Sequence, residues 1–447
     1  MHVFLSTTPI PAHTLNAAVF VAALVDSGHI VTWHAPRRFH PAIAALGARP
    51  IDVELAWDPD RDSGGMPVMG TLAQVRRGYA RHLVGRAAGR AADVRRQLRA
   101  QPYDVVLTDT LAYGAGLAAE AEGVPWATYG DGPLHDRDPD TPPFGAGLPY
   151  RAGWPYRLRN TVVHRGSDLV FAGSAQELAR VRADLGLPAV AGERSVRRRP
   201  EGVDRSGAGV LAAGVSAQLH LHGGVPGLEY PRRRPLAAGV RFVGSLYRRP
   251  RGAHLPPWLP QARPGDPAQQ PCDERPVVAL TQGSLRLDIA ELIAPTIAAL
   301  GDEDCTILVA AGSPEGARAA AAIPTRRARV LTDSFVPYDA LLERASLFVT
   351  NGGWTGVTEA LARGVPVLQV GKTEEKADIG QRVQWSRCGL SIRRRVGPRD
   401  IAAAVARLRV APELTEGLLG IRAQFAARDA GAGGVRLLRD LTDSAKS

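Results

Sequence analysis

Short apolar runs alternate with longer helical stretches along both halves of the chain. The first half begins with a predicted strand at His2–Thr7 and a helix at Leu15–Ser27, and further apolar strands follow in HIVTWHA, YDVVLTD and PWATYG. The second half repeats this plan with PVVALTQG, a helix at Ile289–Leu300, TILVAAG, ARVLTDSF, LFVTNGG and VPVLQVG. Strands that alternate with helices are typical of parallel, doubly wound sheets. The sequence therefore predicts an α/β fold with two doubly wound (Rossmann-like) parallel-sheet domains.

Shifts in composition predict where the domains end. Residues 1–244 form the predicted N-terminal domain, in which 191–214 lacks an apolar period and is predicted to be an irregular insertion. Gly130–Gly153, rich in proline, glycine and aspartate, predicts a long loop of the kind that shapes binding sites. Residues 245–275 are dense in proline and arginine, as in an interdomain linker, and 276–447 form the predicted C-terminal domain.

The formal net charge of +11 is carried almost wholly by arginine, because lysine occurs only at Lys372, Lys376 and Lys446. A basic surface attracts nucleic acid, anionic lipid and diphosphates. The arginines are spread along the chain rather than interleaved with aromatic residues, and the sequence contains no nucleic-acid-binding module. We therefore expect no nucleic-acid partner.

Membrane and export signals are missing from the sequence. No apolar run approaches the roughly twenty residues of a membrane span, and the chain enters a strand without the segments of a secretory signal. Cys272, Cys305 and Cys388 are widely scattered and form no CxxC pair. These features predict a cytoplasmic protein with no transmembrane segment and no cysteine metal site.

A glycine turn in the second half carries candidate chemistry. The strand LFVT ends at Asn351-Gly352-Gly353, a turn that a side chain would obstruct, and a helix is predicted from about Trp354 to Arg363. The N–H groups and dipole of a helix start favour an anion. The same unit also occurs in any doubly wound domain. Glu359, within the helix, could accept hydrogen bonds from a ribose diol.

The order of residues around this turn resembles a known signature. Phe335-Val336-Pro337, Asn351–Trp354, Glu359, Gly364-Val365-Pro366 and Glu375-Lys376 follow one another at the spacing found in the GT-B glycosyltransferases that decorate small natural products. Two positions depart from the commonest pattern. Asn351 stands where many members have His, and Glu375-Lys376 stands where they have an Asp-Gln pair. Both forms resemble a bacterial branch of the family, but the departure at the acidic pair leaves the sugar unidentified.

The resemblance implies a role for each of these positions. Phe335 and Val336 would hold the base, the turn from Asn351 to Thr355 the diphosphate, and Glu359 the ribose. Glu375 and Lys376 would face the sugar, and Ser284 after the strand VVALT would bind a phosphate. The positions assigned to the nucleotide sugar are Ser284, Phe335, Val336, Asn351, Gly352, Gly353, Trp354, Thr355, Glu359, Glu375 and Lys376. For Ser284, a helix cap is the alternative.

Two residues of the first half suit proton transfer. His13 is predicted in the loop after the first strand, just before the first helix, and Asp109 ends the strand DVVLTD. The carboxyl ends of parallel strands share one sheet edge, where ligands bind. The resemblance implies that His13 is the catalytic base and that Asp109 orients it. The alternatives are an exposed or helix-capping histidine and an aspartate that caps the next helix.

The resemblance further implies two domains facing across a cleft, with the last helix packing back on the N-terminal domain. It predicts an inverting, metal-independent glycosyltransferase acting on a UDP- or dTDP-sugar and a hydroxyl of a small, largely apolar acceptor. No cofactor beyond the nucleotide sugar is expected, and the enzyme would be a monomer or homodimer. The Asp-x-Asp pattern in DRDPD is proline-bounded and expected to be solvated rather than metal-binding.

Other functions remain open at this stage. One is a catalytically silent GT-B relative that binds nucleotide sugar or assists a partner enzyme, and others are an epimerase or a transferase for a lipid-linked acceptor. The last would need an exposed apolar patch with basic neighbours. A nicotinamide dehydrogenase is disfavoured because no GxGxxG follows a first strand.

Overall fold

Two parallel sheets account for the strands of this computed structural model. The structure describes residues 1–62, 71–135, 137–189, 210, 213–253, 255–259, 275–283, 287–372 and 375–446. The strands are β1 His2–Ser6, β2 Ile30–His34, β3 Arg49–Ile51, β4 Val105–Asp109, β5 Trp126–Gly130, β6 Leu219–Gly223, β7 Val240–Gly244, β8 Val277–Thr281, β9 Thr306–Ala310, β10 Arg329–Asp333, β11 Ala345–Thr350, β12 Val367–Val370 and β13 Gly389–Ile392.

Helices connect most of the strands, as parallel pairing requires. They are α1 Pro11–Asn16, α2 Ala18–Asp26, α3 His40–Ala45, α4 Leu72–Gly78, α5 Ala87–Ala100, α6 Ala115–Ala121, α7 Trp154–Asp184, α8 Ile293–Leu300, α9 Pro314–Ala321, α10 Tyr338–Leu342, α11 Trp354–Ala362, α12 Lys376–Trp385, α13 Pro398–Val410, α14 Pro412–Ala426 and α15 Ala430–Lys446. None of them, among the residues described, has both the length and the apolar character to cross a bilayer.

The first sheet has the order β3-β2-β1-β4-β5-β6-β7 and lies in a compact unit made of Met1–Arg248 and Arg428–Ser447. Its central strands are covered on both faces. Val3 and Leu5 of β1 pack on the side of α2 and α15, whereas Phe4 packs on the side of α5 and α6. Burial on both faces explains why the sequences of these strands are continuous apolar runs.

The C-terminal helix α15 belongs to this first unit. It packs along α2, and Gly434 approaches so closely that a Cβ there would lie 2.5 Å from the Phe20 ring. Leu438 of the same helix is fully buried. The last twenty residues therefore complete the core next to β1 and β6.

The second sheet has the order β10-β9-β8-β11-β12-β13 and lies in a unit of residues Arg249–Ala427. All of its strand pairs are parallel, and the registers run through Thr350 opposite Thr281 at the end of β11 and β8. The prediction of two doubly wound parallel-sheet domains is confirmed. Most of the predicted insertion 191–214 and of the predicted linker 245–275 lies outside the described residues.

One predicted helix boundary is wrong, and one helix was not predicted. The first helix was expected at Leu15–Ser27, but α1 already begins at Pro11, so His13 lies within a helix rather than in a loop. Proline at the first helical position has its backbone preset for a helix and lacks the N–H that would need a partner there. The 31-residue helix α7 escaped prediction because its apolar residues lie both inside (Phe171, Leu178) and outside (Trp154, Leu158), which removes the one-sided pattern.

Close packing of α6 against β5 gives a test of this fold. A Cβ on Gly116 would lie 2.3 Å from the buried Trp126 ring, so Gly116→Ala should lower the free energy of unfolding by about 1–3 kcal/mol. Gly173 is also helical, but a Cβ there would meet no atom within 4 Å. Gly173→Ala should therefore raise that free energy by about 0.5–1 kcal/mol. Urea unfolding followed by tryptophan fluorescence measures both, and equal effects of the two substitutions would contradict this packing.

Candidate active site

Three neighbouring strands of the first sheet bring polar side chains to one edge. β1, β4 and β5 are adjacent and parallel, so the segments that follow them emerge side by side. His13 and Asp131 lie in the segments after β1 and β5, and Asp109 is the last residue of β4. The edge formed by carboxyl ends is where doubly wound sheets bind ligands.

Asp109 is the buried anchor of this group, with a side chain that is 0% exposed. Its Oδ2 accepts a hydrogen bond from the Thr8 amide at 2.6 Å, and its Oδ1 accepts one from the Leu111 amide at 2.8 Å. The Thr8 hydroxyl donates to the same carboxylate. These bonds fix the segment after β1 against the segment after β4.

His13 places one ring nitrogen between two carboxylates. Nδ1 lies 3.5 Å from Asp109 Oδ1 and 3.4 Å from Asp131 Oδ1, and the side chain is 19% exposed. The Tyr129 hydroxyl donates to the His13 carbonyl and so holds the backbone of α1 to the end of β5. The structure therefore brings together the two predicted residues, His13 and Asp109.

The electrostatics favour an ionised Asp109 beside this ring. Burial alone would raise the pKa of Asp109, but the hydrogen bond and charge of His13, the Thr8 amide and the charge of Arg90 together lower it. Carboxylates can only accept, so Nδ1 of the neutral ring carries the hydrogen and Nε2 is the basic nitrogen. This tautomer suits a general base.

Sequence reasoning missed Asp131. It directly follows the strand WATYG, as Asp109 ends DVVLTD, so a carboxylate at the end of a central strand was the available signal. The prediction instead treated 130–153 as one long loop. The described part of 131–153 does lack helix and strand, but its first acidic residue belongs to the His13 group.

Sequence reasoning also missed Arg90, which stabilises the end of β1 next to the His13 and Asp109 group. Its Nη1 donates to the Ser6 hydroxyl at 3.0 Å and to the Thr7 carbonyl at 2.9 Å, where β1 ends. Ser6 in turn contacts His34 Nδ1 at 3.0 Å, and His34 Nε2 lies 3.6 Å from Asp93. Nothing in the arginine-rich sequence distinguishes this buried arginine from the exposed ones.

In the second sheet, the turn after β11 is built around Gln369. The Gln369 amide donates to the carbonyls of Asn351 at 3.0 Å and Gly371 at 3.1 Å, and the Asn351 side chain donates to the Gln282 carbonyl. These contacts join the ends of β8, β11 and β12. Gly352 has φ +99°, and a Cβ there would lie 2.6 Å from Gln369, so a side chain would be obstructed at this position.

Gly353 does not fit the same expectation. Its φ is −65°, and a Cβ would meet no atom within 4 Å, so the prediction that a side chain would be obstructed there is wrong. Gly353 is instead the N-cap of α11 and has no side chain with which to cap the helix. Trp354 is buried and Thr355 half-buried, so an anion at this helix start would meet mainly backbone N–H groups.

Glu359 lies further along α11 and is almost fully buried. Its carboxylate accepts a hydrogen bond from Arg363, one turn later. Burial and the negative charge of Glu359 raise the pKa of Tyr338 to about 12. Tyr338 also covers Gly356, where a Cβ would lie 3.0 Å from the phenol ring. The Arg363 partner could have been found from the i,i+4 spacing.

The remaining predicted donor residues differ in exposure. Phe335, after β10, is 55% exposed and available for stacking, whereas Val336 is buried and can offer only its backbone. Glu375 is half-buried at the N-cap of α12, and Lys376 is buried at its first position. Ser284 lies outside the described residues.

No three His, Cys, Asp or Glu side chains come together as a metal site in the described ranges. The expectation that the DRDPD pattern is solvated is wrong for Asp138, which is 2% exposed. Asp138 Oδ1 accepts a hydrogen bond from the Asp140 backbone amide at 2.7 Å, so this side chain stabilises its own loop.

Comparisons with known proteins identify relatives across almost the whole chain, although no protein-family model matches it. The chain is 31% identical to 4'-demethylrebeccamycin synthase of Lentzea aerocolonigenes over 98% of this chain and 99% of the relative. It is 28% identical to UDP-glycosyltransferase 2 of Phaeomoniella chlamydospora over 88% and 84%. The solved structure of the glycosyltransferase VinC in complex with dTDP shares the fold, with a TM-score of 0.66 at 19% identity over 99% of this chain and 100% of that one.

The identity to the first relative extends through both units, and the two sheets agree with it. On this evidence the chain belongs to the GT-B glycosyltransferases of natural-product biosynthesis, which are enzymes that use nucleotide sugars.

Proposed function

We propose that this enzyme transfers a sugar from a UDP- or dTDP-sugar to a hydroxyl of a small, largely apolar acceptor, with inversion at the anomeric carbon. The observation that carries the proposal is the position of His13 Nδ1 between Asp109 and Asp131. In the proposed step, Nε2 takes the acceptor proton as the acceptor oxygen attacks the anomeric carbon. The bond to the diphosphate breaks on the opposite face, and the nucleoside diphosphate leaves with the electron pair.

An apolar acceptor is supported by the apolar residues next to His13 and Asp109 in the chain. Ile10 immediately precedes the helix of His13, and Leu111 follows Asp109 by two residues. Both belong to a cluster that includes the buried aromatic residues Trp57, Tyr79 and Tyr113. Apolar surface with a few placed polar groups is what small-molecule sites offer.

We assign the nucleotide sugar to the second unit. The exposed Phe335 ring suits a base and the start of α11 suits the diphosphate. The ribose hydroxyls are assigned to Glu359 from the family resemblance, and they would share its carboxylate with Arg363. Glu375 and Lys376 remain proposed contacts of the sugar. One relative is a UDP-glycosyltransferase and one structural neighbour was solved in complex with dTDP, so both nucleotides are candidates for this chain.

We further propose that the leaving diphosphate is stabilised by the N–H groups and dipole of α11 without a divalent cation, and that no cofactor beyond the nucleotide sugar is needed. A helix start carries a partial positive charge that favours phosphate oxygens. Gly353, as a cap without a side chain, leaves this end sterically open.

The proposed base can be tested by His13→Ala. Loss of a general base should lower kcat by about 10²–10⁴-fold, while the affinity for UDP or dTDP measured by calorimetry stays within about twofold. His29→Ala is the matched control, because His29 lies at the amino end of β2, opposite the ligand edge. Full activity of the His13 variant would overturn the mechanism.

The ribose assignment can be tested by Glu359→Ala. Removing a charged hydrogen-bond acceptor costs about 1.5–3 kcal/mol, so the Kd for the nucleoside diphosphate should rise about 10- to 100-fold. Arg363→Ala breaks the same ion pair from the other side and should change the Kd less than about threefold. Equal losses in both variants would mean that the ion pair, rather than a ribose contact, explains the effect.

Metal independence and stereochemistry can be read from one reaction. With excess EDTA we expect an unchanged rate, because backbone N–H groups take the place of a cation. The proton coupling at the anomeric carbon of the product should report the configuration opposite to that of the donor. A rate that disappears with EDTA and returns with Mg²⁺, or retention of configuration, would contradict the proposal.

A further inference from the structure

We propose that Asp131 is a second carboxylate partner of the catalytic base and that it, together with Asp109, sets the basicity of His13. This inference rests on the proposed function, because it concerns the strength of the same base. Asp131 Oδ1 lies 3.4 Å from Nδ1, compared with 3.5 Å for Asp109 Oδ1. Neither carboxylate is therefore closer to the ring by a meaningful margin.

The position of Asp131 is fixed by the helix that carries the base. Asn16 lies three residues after His13 on α1, and its side-chain amide donates to Asp131 Oδ2 at 3.0 Å. Residues three apart share a helix face. The other oxygen of Asp131 is thus held toward His13, and the side chain is only 8% exposed.

The two carboxylates carry different structural duties. The charge of Asp109 is already shared with the amides of Thr8 and Leu111 and with the Thr8 hydroxyl. Arg90 adds a positive charge on that side. Asp131 accepts a hydrogen bond from the neutral side-chain amide of Asn16, so more of its negative charge remains to stabilise the positively charged His13 ring.

This arrangement predicts a stronger base than a single His–Asp pair would give. The imidazolium forms when Nε2 takes the acceptor proton, and two nearby negative charges stabilise it. Among the described residues, Asp109 and Asp131 lie next to the ring, the neutral Tyr129 hydroxyl donates to the His13 carbonyl, and Arg90 acts on the charge of Asp109. Asp131 acts through the ring, so it is a positioning residue.

The test is the pH profile of kcat/KM for Asp131→Asn. Removing one negative charge destabilises the imidazolium, so the ring becomes neutral at a lower pH. The acid limb of the profile should therefore move down by about one pH unit. The plateau should fall about tenfold, because a weaker base removes the proton less readily. Nucleotide affinity should stay unchanged, since the change lies in the first unit.

Matched variants separate this role from a structural one. Asp140→Asn changes a carboxylate of the same loop that pairs with Arg157 and Arg233, and it should not move the acid limb. Asn16→Ala should shift the limb in the same direction by a smaller amount. The double variant with Asp131→Asn should add nothing further, because both changes act through one carboxylate.

The outcomes distinguish the inference from the function on which it rests. An unmoved acid limb in Asp131→Asn, with His13→Ala inactive, would overturn the role of Asp131 and leave the proposed base intact. Full activity in His13→Ala would overturn both. If Asp131→Asn does not fold, the Asn16→Ala profile decides: a shifted limb supports the inference and an unshifted one overturns it.

Discussion

The negative charge buried at the end of β4 is the constraint on which the first unit depends. Asp109 is removed from water, so its charge must be met by protein groups. The amides of Thr8 and Leu111 meet it directly, and His13 and Arg90 add positive or polarised groups. The same contacts bend the segment after β1 toward the segment after β4. The contacts that compensate the buried charge of Asp109 therefore also orient the candidate base, His13.

In the second unit, neutral hydrogen-bonding groups, rather than a buried charge, fix the turn at the sheet edge. Gln369 is fully buried. Its side-chain nitrogen donates hydrogen bonds to two backbone carbonyls, and its side-chain oxygen accepts one from the Ser391 hydroxyl. This network fixes the turn that leads into α11 without placing a negative side chain at the helix start. The two edges differ in charge as a result. An edge with two carboxylates is unsuited to a diphosphate, whereas a helix start is suited to it.

The sequence predicted those features whose chemistry is local. Asp109 ends an apolar strand, and the Asn351 turn and Glu359 lie within one strand–turn–helix unit whose residue order resembles the GT-B signature, so these positions could be named from the sequence. Asp131 and Arg90 could not be ranked, because their importance comes from strands β1, β4 and β5 lying side by side. The beginning of α1 at Pro11 and the length of α7 were missed for a related reason. The beginning of α1 depends on a proline at the first helical position. The helix α7 carries apolar residues on more than one of its faces, so its sequence shows no one-sided pattern.

The same distinction between local and distant residues explains why candidate residues could be named for the nucleotide sugar and not for the acceptor. The proposed donor residues from Phe335 to Lys376 occupy one short stretch, and their spacing is constrained by a single sheet edge. The apolar cluster that contains Leu111 also contains Trp57, Tyr79 and Phe171, which are far apart in sequence. Each of these residues can change without disturbing a motif. Residues of such a cluster are therefore recognised from the packing of the assembled first unit rather than from any single segment of the chain.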